Sequence, residues 1–219
     1  NAEIATNTCC EGQGTRMYGS LPEYIYSLTP NGVQVNLFEA STLTHQVNGH
    51  PLRLHMQTAF PYNNEVSIEV SCDAPLDACL EIRVPGWATQ ALAVKMNGER
   101  VATGKPGTYI KLQRVWKAGD KIEFTLPASF RTTQYVGMES GFESGHYALE
   151  YGPVLMAAVC TKDNTEPFVP CLAKEITSKL RPVSGKPLHF TVAGCDDIEF
   201  MPYYEVEGQA FSNFPAYLF

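Results

Sequence analysis

The sequence predicts a mainly β protein: two antiparallel β-sandwich domains preceded by a short helical segment. Three observations carry that prediction. Short stretches alternate apolar and polar residues along most of the chain. Turn-forming residues separate these stretches at regular intervals. Helical periodicity is confined to the beginning. With 219 residues, 44% of them hydrophobic and 18% charged, the chain is long enough and apolar enough to bury a core.

The helix comes first. Met17, Leu21, Tyr24, Ile25 and Leu28 recur at a helical period. Ser20 and Glu23 form an S-x-x-E capping box, with Pro22 in the first turn, where proline is tolerated. The helix is expected either to start at Ser20 or to run from about Thr15 with a kink at Pro22. The stretch TPNG, Thr29 to Gly32, then stops it.

Strands follow. GVQVNLF, LRLHMQTAF, EVSIEVSC, CLEIRVPGW, LAVKMNGERV, TYIKLQRVW and DKIEFTLP all alternate. YNN, Asn97-Gly98, GKPG and KAGD separate them. Asn97-Gly98 is the strongest hairpin candidate, because both central residues of a type I′ turn need positive φ. Pro127 closes the series, and a spacing this regular argues for an antiparallel sandwich.

A second β block contains FRTTQYV, HYALEYGPVLMAAV, PLHFTVAG and DIEFMPYYEV. Gly137, Gly141 and Gly145 mark a flexible loop, and TKDNTEPFVP reads as a surface loop. The expected organisation is therefore 1–28, a helical segment; 29–129, a β-sandwich; and 130–219, a second sandwich-like domain.

The 16 basic and 23 acidic residues leave a net charge of −7, and no Lys/Arg cluster stands out. That argues against nucleic-acid and anionic-membrane partners. No apolar run is long enough to span a bilayer. The opening residues NAEIATNT lack a basic n-region and an apolar h-region, and there is no initiating Met, so Asn1 is expected not to be the natural start.

Seven cysteines are present: Cys9, Cys10, Cys72, Cys79, Cys160, Cys171 and Cys195. Cys72 and Cys79 bracket DAPLDA, so a bridge and two separate thiols are both open. Cys160, Cys171 and Cys195 have no metal spacing.

The unusual feature is the adjacent pair Cys9-Cys10, followed by Gly12 and Gly14. A mutual disulfide would close a strained eight-membered ring. Two neighbouring thiolates can instead meet one soft cation, typically zinc, if other ligands arrive from elsewhere. A metal also lowers a thiol's pKa and can leave a thiolate ready to attack. On composition alone, two ordinary cysteines before a helix are slightly the better reading.

Glu11 is a candidate neighbour of the pair or a solvated loop acid, whereas Glu23 reads as the capping residue. His45, His50, His55, His146 and His189 lack metal spacing and read as structural or surface residues. Trp87 and Trp116 are candidate sugar platforms but read better as core. Of Tyr203 and Tyr204, one is expected to pack and the other to point out. There is no Ser/His/Asp order, phosphate loop or dinucleotide fingerprint.

TCCEGQGTRMYGSLPEYIYS, then LEIRVPGWA, VKMNGE, TYIKLQRVWKAGDKIEFTLP, YALEYGPVLMA and MPYYEV, together resemble the C-terminal part of glycoside hydrolase family 127, the β-L-arabinofuranosidase family and its relatives. The resemblance runs from Thr8 to about Tyr204. It implies an (α/α)6-barrel catalytic domain followed by two β-sandwiches, with residues 1–28 as the C-terminal remnant of the barrel. It also implies Cys9 as the nucleophile of a retaining glycosidase and as a zinc contact, with Cys10 a zinc ligand. The acid/base Glu, another ligand Cys and a ligand Glu would lie before Asn1.

On that implication the partners are the missing N-terminal α-barrel and a carbohydrate substrate. Zinc belongs to the parent enzyme and is expected to be absent or weakly bound here. The 219-residue chain by itself is expected to be inactive, since losing a proton donor alone removes a factor of about 10²–10⁴. The alternative is a non-catalytic carbohydrate-binding or structural β-sandwich module.

Overall fold

The computed structural model describes residues 8–134, 147–160 and 174–206, and for 8–11 and Cys160 it describes the backbone alone. The expected loops around Gly137, Gly141 and Gly145 and over TKDNTEPFVP lie outside the described residues, as do His146 and Cys171. The chain is mainly β, as the alternation predicts, and divides into two compact units. The first runs to Gly86 and resumes over Gln90–Leu126; the second takes Trp87–Thr89 and the chain from Pro127 onward.

The helix α1 spans Thr8–Ser20, earlier than either expected start. Gly12 and Gly14 do not prevent it, since glycine within a helix costs only about 1 kcal/mol relative to alanine. What ends the helix is Pro22, which disfavours the α conformation at Leu21. The chain tightens into a 3-10 turn over Leu21–Tyr24. The expected capping box is not formed. Ser20 has helical dihedrals and makes no side-chain cap bond; its Oγ donates back to the Met17 carbonyl at 2.9 Å.

The helical period also misled at Leu28. Tyr26–Thr29 is a strand, β1, and TPNG turns a hairpin into β2, Gly32–Val35, rather than stopping a helix. Thr29 precedes a proline and is biased towards extended backbone, and strand pairing overrides a weak local period.

In the first unit β1 and β2 share a four-stranded sheet with β6, Leu76–Arg83, and β9, Tyr109–Trp116, in the order β1-β2-β6-β9. The β2–β6 pairing is parallel, with Gly32 opposite Cys79. A Cβ at position 32 would land on the Cys79 carbonyl, so the approach of these two backbones requires glycine.

The second sheet of this unit orders β3-β4-β5-β10-β7-β8: Ser41–Val47, His50–Thr58, Glu65–Cys72, Lys121–Thr125, Leu92–Met96 and Glu99–Gly104. Asn97 and Gly98 have φ of 49° and 88°, the two positive values that the predicted hairpin turn needs. Asn48-Gly49 makes the same turn between β3 and β4, and β3, Ser41–Val47, is a strand beyond those expected.

The two sheets bury the apolar halves of their alternating strands. Leu52, Leu54 and Met56 of β4, Val66, Ile68 and Val70 of β5, and Leu76, Ala78, Leu80 and Ile82 of β6 are all buried. Phe38 meets Phe124 edge-on at 5.3 Å. Trp116 is fully buried, and its indole N–H donates to the Ala78 carbonyl at 2.9 Å. Cys72 lies in one sheet and Cys79 in the other; both are free thiols, so the bridge left open by the sequence is not made.

The described part of the second unit is one six-stranded antiparallel sheet. Its strands are β11, Phe130–Gln134; β12, Tyr147–Tyr151; β13, Val154–Cys160; β14, Leu180–Pro182; β15, Phe190–Val192; and β16, Cys195–Pro202. They run in the order β11-β12-β13-β16-β15-β14. Leu149, Met156, Ala158, Val192 and Phe200 form the core with Ile176, which comes from the one-turn helix α2, Ile176–Lys179.

Candidate functional site

Cys9 and Cys10 lie in the first turn of α1, not in a loop before it. Their side chains, and that of Glu11, lie outside the described residues. None of the described side chains of α1 is buried. The segment that follows the pair presents Met17, Tyr18, Leu21 and Tyr24 to solvent, each between 44% and 68% exposed. Ile25 is the first buried residue among those described. The helix that carries the two thiols thus displays a run of apolar side chains. Glu23 sits in the 3-10 turn and caps nothing there.

Two thiolates are half of the four ligands that a structural zinc takes. Among the described residues no group of three or more His, Cys, Asp or Glu could hold a metal. Two histidines of the first unit have neighbours of their own: His55 bonds Thr42 Oγ1 at 3.0 Å, and His50 lies 3.6 Å from Asp73.

The aromatic candidates separate. Trp116 is core and offers no face to a sugar. Trp87 is half-buried and packs over Gly152. Tyr203 and Tyr204 are both exposed, where one was expected to pack. The reason is local: β16 ends at Pro202, and the two tyrosines sit in a 3-10 turn over Tyr203–Glu205, where strand alternation no longer applies.

One constellation was missed. His189 is buried between two carboxylates: Nδ1 is 2.5 Å from Glu199 Oε1, and Nε2 is 2.9 Å from Glu205 Oε2. Lys186 Nζ reaches the same Glu199 oxygen at 3.3 Å. Ionised carboxylates only accept, so a ring bonded to two of them donates from both nitrogens and is an imidazolium.

Burial opposes the charge on this ring, but the bonds to Glu205 and Glu199 and their negative charges outweigh it and raise the His189 pKa above its ordinary 6.5. Burial likewise pushes the Glu199 carboxyl up, and the bonds from His189 and Lys186, with their charges, bring it below its ordinary 4.5. Spacing could not reveal this. Glu199 stands in the run Ile198-Glu199-Phe200, which reads as ordinary alternation with the charge facing water, yet all three residues are buried.

Comparison with known proteins adds the following. Residues 32–128 match the family model described as "Beta-L-arabinofuranosidase, GH127 middle domain". No curated protein sequence matches. Among solved structures, a GH127 β-L-arabinofuranosidase from Geobacillus stearothermophilus T6 is similar with a TM-score of 0.63 and 26% identity; the match covers 72% of this chain and 25% of that one. A second GH127 β-arabinofuranosidase is similar at 0.59 and 23% identity, over 70% of this chain and 26% of that one. A structure described only as a glycoside hydrolase is similar at 0.67 and 18% identity, over 93% and 40%. The last two likenesses concern the fold. The chain spans about a quarter of the length of the two arabinofuranosidases.

Proposed function

We propose that this chain, whose residues 32–128 match the middle-domain model of glycoside hydrolase family 127, is the C-terminal part of a retaining, β-L-arabinofuranosidase-like glycosidase in which Cys9 is the nucleophile. The match of the β-sandwich to the family's middle domain is the observation that carries this reading. The Cys-Cys pair, placed just before that domain as the resemblance requires, supplies the chemistry.

In the proposed reaction the Cys9 thiolate attacks the anomeric carbon, and the bond from that carbon to the leaving-group oxygen breaks. The oxygen takes its proton from a carboxylic acid outside this chain. Water then displaces the sulfur, so two inversions give net retention. A soft metal, when bound, would hold the thiol as thiolate. Cys9 and Cys10 would be two of its ligands, the remainder coming from the same outside domain.

The β-sandwich would act by packing. The exposed apolar side chains of Met17, Tyr18, Leu21 and Tyr24 support a partner in the form of a helical catalytic domain, against which the α1 segment would lie. The isolated chain would then be inactive, since the acid and the sugar pocket come from that partner.

The test is turnover of an aryl arabinofuranoside by the longer protein, by the longer protein carrying Cys9→Ala, and by the isolated 219-residue chain. The expected result is activity in the first alone. Undiminished turnover with Cys9→Ala removes the nucleophile assignment, and turnover by the isolated chain removes the need for the partner.

A further inference from the structure

The chain contains three Asn-Gly steps: Asn31-Gly32, Asn48-Gly49 and Asn97-Gly98. Asparagine before glycine is prone to cyclise, because a following residue without a Cβ lets its amide nitrogen approach the side-chain carbonyl carbon. As dipeptides the three are equivalent, and the fold makes them different. We propose that Asn48-Gly49 is a site of spontaneous deamidation, the one of the three that the fold leaves open to it.

At Asn31 the attacking nitrogen is shut away. Gly32 is buried, pairs with Thr29 in the β1–β2 ladder and lies against the Cys79 backbone of β6. Its nitrogen can attack only if that three-strand junction parts.

At Asn97 the nitrogen is accessible but the side chain is pinned. Gly98 is exposed and lies between the paired Met96 and Glu99, outside the ladder. The Asn97 side chain, however, is held at both ends against β10. Its Oδ1 accepts from the Lys121 amide at 2.8 Å, and its Nδ2 donates to Asp120 Oδ1 at 2.9 Å. Asp120 is buried, so that second bond is charge-assisted and shielded from water. Turning the side chain towards Gly98 breaks both bonds.

Asn48 has the same positive φ in the same kind of turn, and neither restraint. Gly49 is exposed and lies between the paired Val47 and His50, outside the ladder. The Gln46 side-chain amide lies 3.3 Å from the Gly49 carbonyl and leaves the Gly49 nitrogen alone. Among the described residues the Asn48 side chain makes one bond, from Nδ2 to the Asp77 carbonyl at 3.5 Å, the outer limit for a hydrogen bond.

The reaction needs water alone. The Gly49 nitrogen gives up its proton and attacks Asn48 Cγ. The new N–Cγ bond closes a five-membered imide, the Cγ–Nδ2 bond breaks, and ammonia leaves with the proton. Water then opens the ring at either carbonyl, giving aspartate or its isoaspartyl isomer. Each product carries a new negative charge at the hairpin tip, facing the Asp77 carbonyl that Nδ2 had addressed. The isoaspartyl product also routes the backbone through Cβ, which the two-residue turn cannot accommodate. Because β3 is the outermost strand of its sheet, conversion loosens an edge rather than the centre.

The experiment ages the folded 219-residue chain in mildly alkaline buffer and follows each step by peptide mass mapping with fragmentation. Asn48 should convert about tenfold faster than Asn97, the cost of releasing a charge-assisted bond, with Asn31 slow as well. The same chain in urea should convert all three at similar rates. Asp120→Ala should speed Asn97 about tenfold and leave Asn48 unchanged. Asn97 or Asn31 converting as fast as Asn48 in the folded wild type overturns the proposal, and that measurement needs no variant. So does an Asn48 that stays intact while the chain in urea converts. A ranking that persists in urea removes the fold as its cause and overturns it equally.

Discussion

The two units bury their interiors differently. In the first, two sheets close over an apolar core in which Asp120 is the buried charged residue among those described. In the second, a six-stranded sheet carries an apolar core of its own, but a buried histidine and a buried glutamate sit at its β15–β16 side. One interior is specified by shape and volume, the other in part by charge. The difference teaches that the first unit should fail when volume or backbone clearance changes, and the second when a proton or a partner charge is removed.

The largest effect is expected at the centre of the first unit. Trp116→Ala removes a fully buried ring and its bond to Ala78, and should cost about 3–5 kcal/mol in denaturant unfolding. A loss confined to the hydrogen bond alone, near 1 kcal/mol, would mean that the core collapses around the gap.

In the second unit His189→Ala leaves two carboxylates facing one another and should cost about 3 kcal/mol near neutral pH. The deficit should shrink in acid, where those carboxylates take up protons. A deficit that is flat with pH would say that the histidine matters for its volume, and the contrast between the units would fall.

Gly32→Ala should cost about 2 kcal/mol, because the β2 and β6 backbones must separate. Unfolding midpoints measure it directly, and a neutral result would mean that the parallel pairing tolerates displacement.

Asp120 tests whether the first unit also leans on charge. Burial pushes its carboxyl up, but bonds from Asn97 and the Lys117 amide and the nearby Arg114 and Lys117 charges hold it below the ordinary 3.8. Its contribution is therefore present above 3.8 and lost as pH falls through the lower native value. Asp120→Ala should cost about 1–2 kcal/mol at pH 7 and remove that acid-limb dependence from the unfolding profile.

The smallest effect belongs to the exposed pair Lys121–Glu123, at 2.7 Å. Lys121→Ala should change stability by about 0.5 kcal/mol or less.

The first unit was legible because its physics is repetitive. Alternation along β4, β5 and β6 names the buried residues one by one, and Asn97-Gly98 fixes a hairpin through backbone dihedrals that few residues adopt. The segment around α1 was misread because Leu28 happens to complete a helical period, while the element that decides its conformation, β2, acts through pairing. The His189 cluster was illegible for a related reason. Glu205 is sixteen residues from His189, and the three groups meet only through strand register and the turn that follows β16. The Cys9-Cys10 pair was conspicuous in the sequence because adjacency is itself a pattern, and the helix now puts both cysteines in the same turn of backbone.

The parallel join between β2 and β6 has a consequence for assembly. Between those strands the chain lays down β3, β4 and β5 in the opposite sheet, and between β6 and β9 it lays down β7 and β8 there as well. Each layer is threaded through the other in chain order, so neither can be finished from local sequence. A cut anywhere between Gly32 and Trp116 takes strands from both layers at once. That stretch should therefore melt as a single cooperative block and fold at the pace set by its most distant closures.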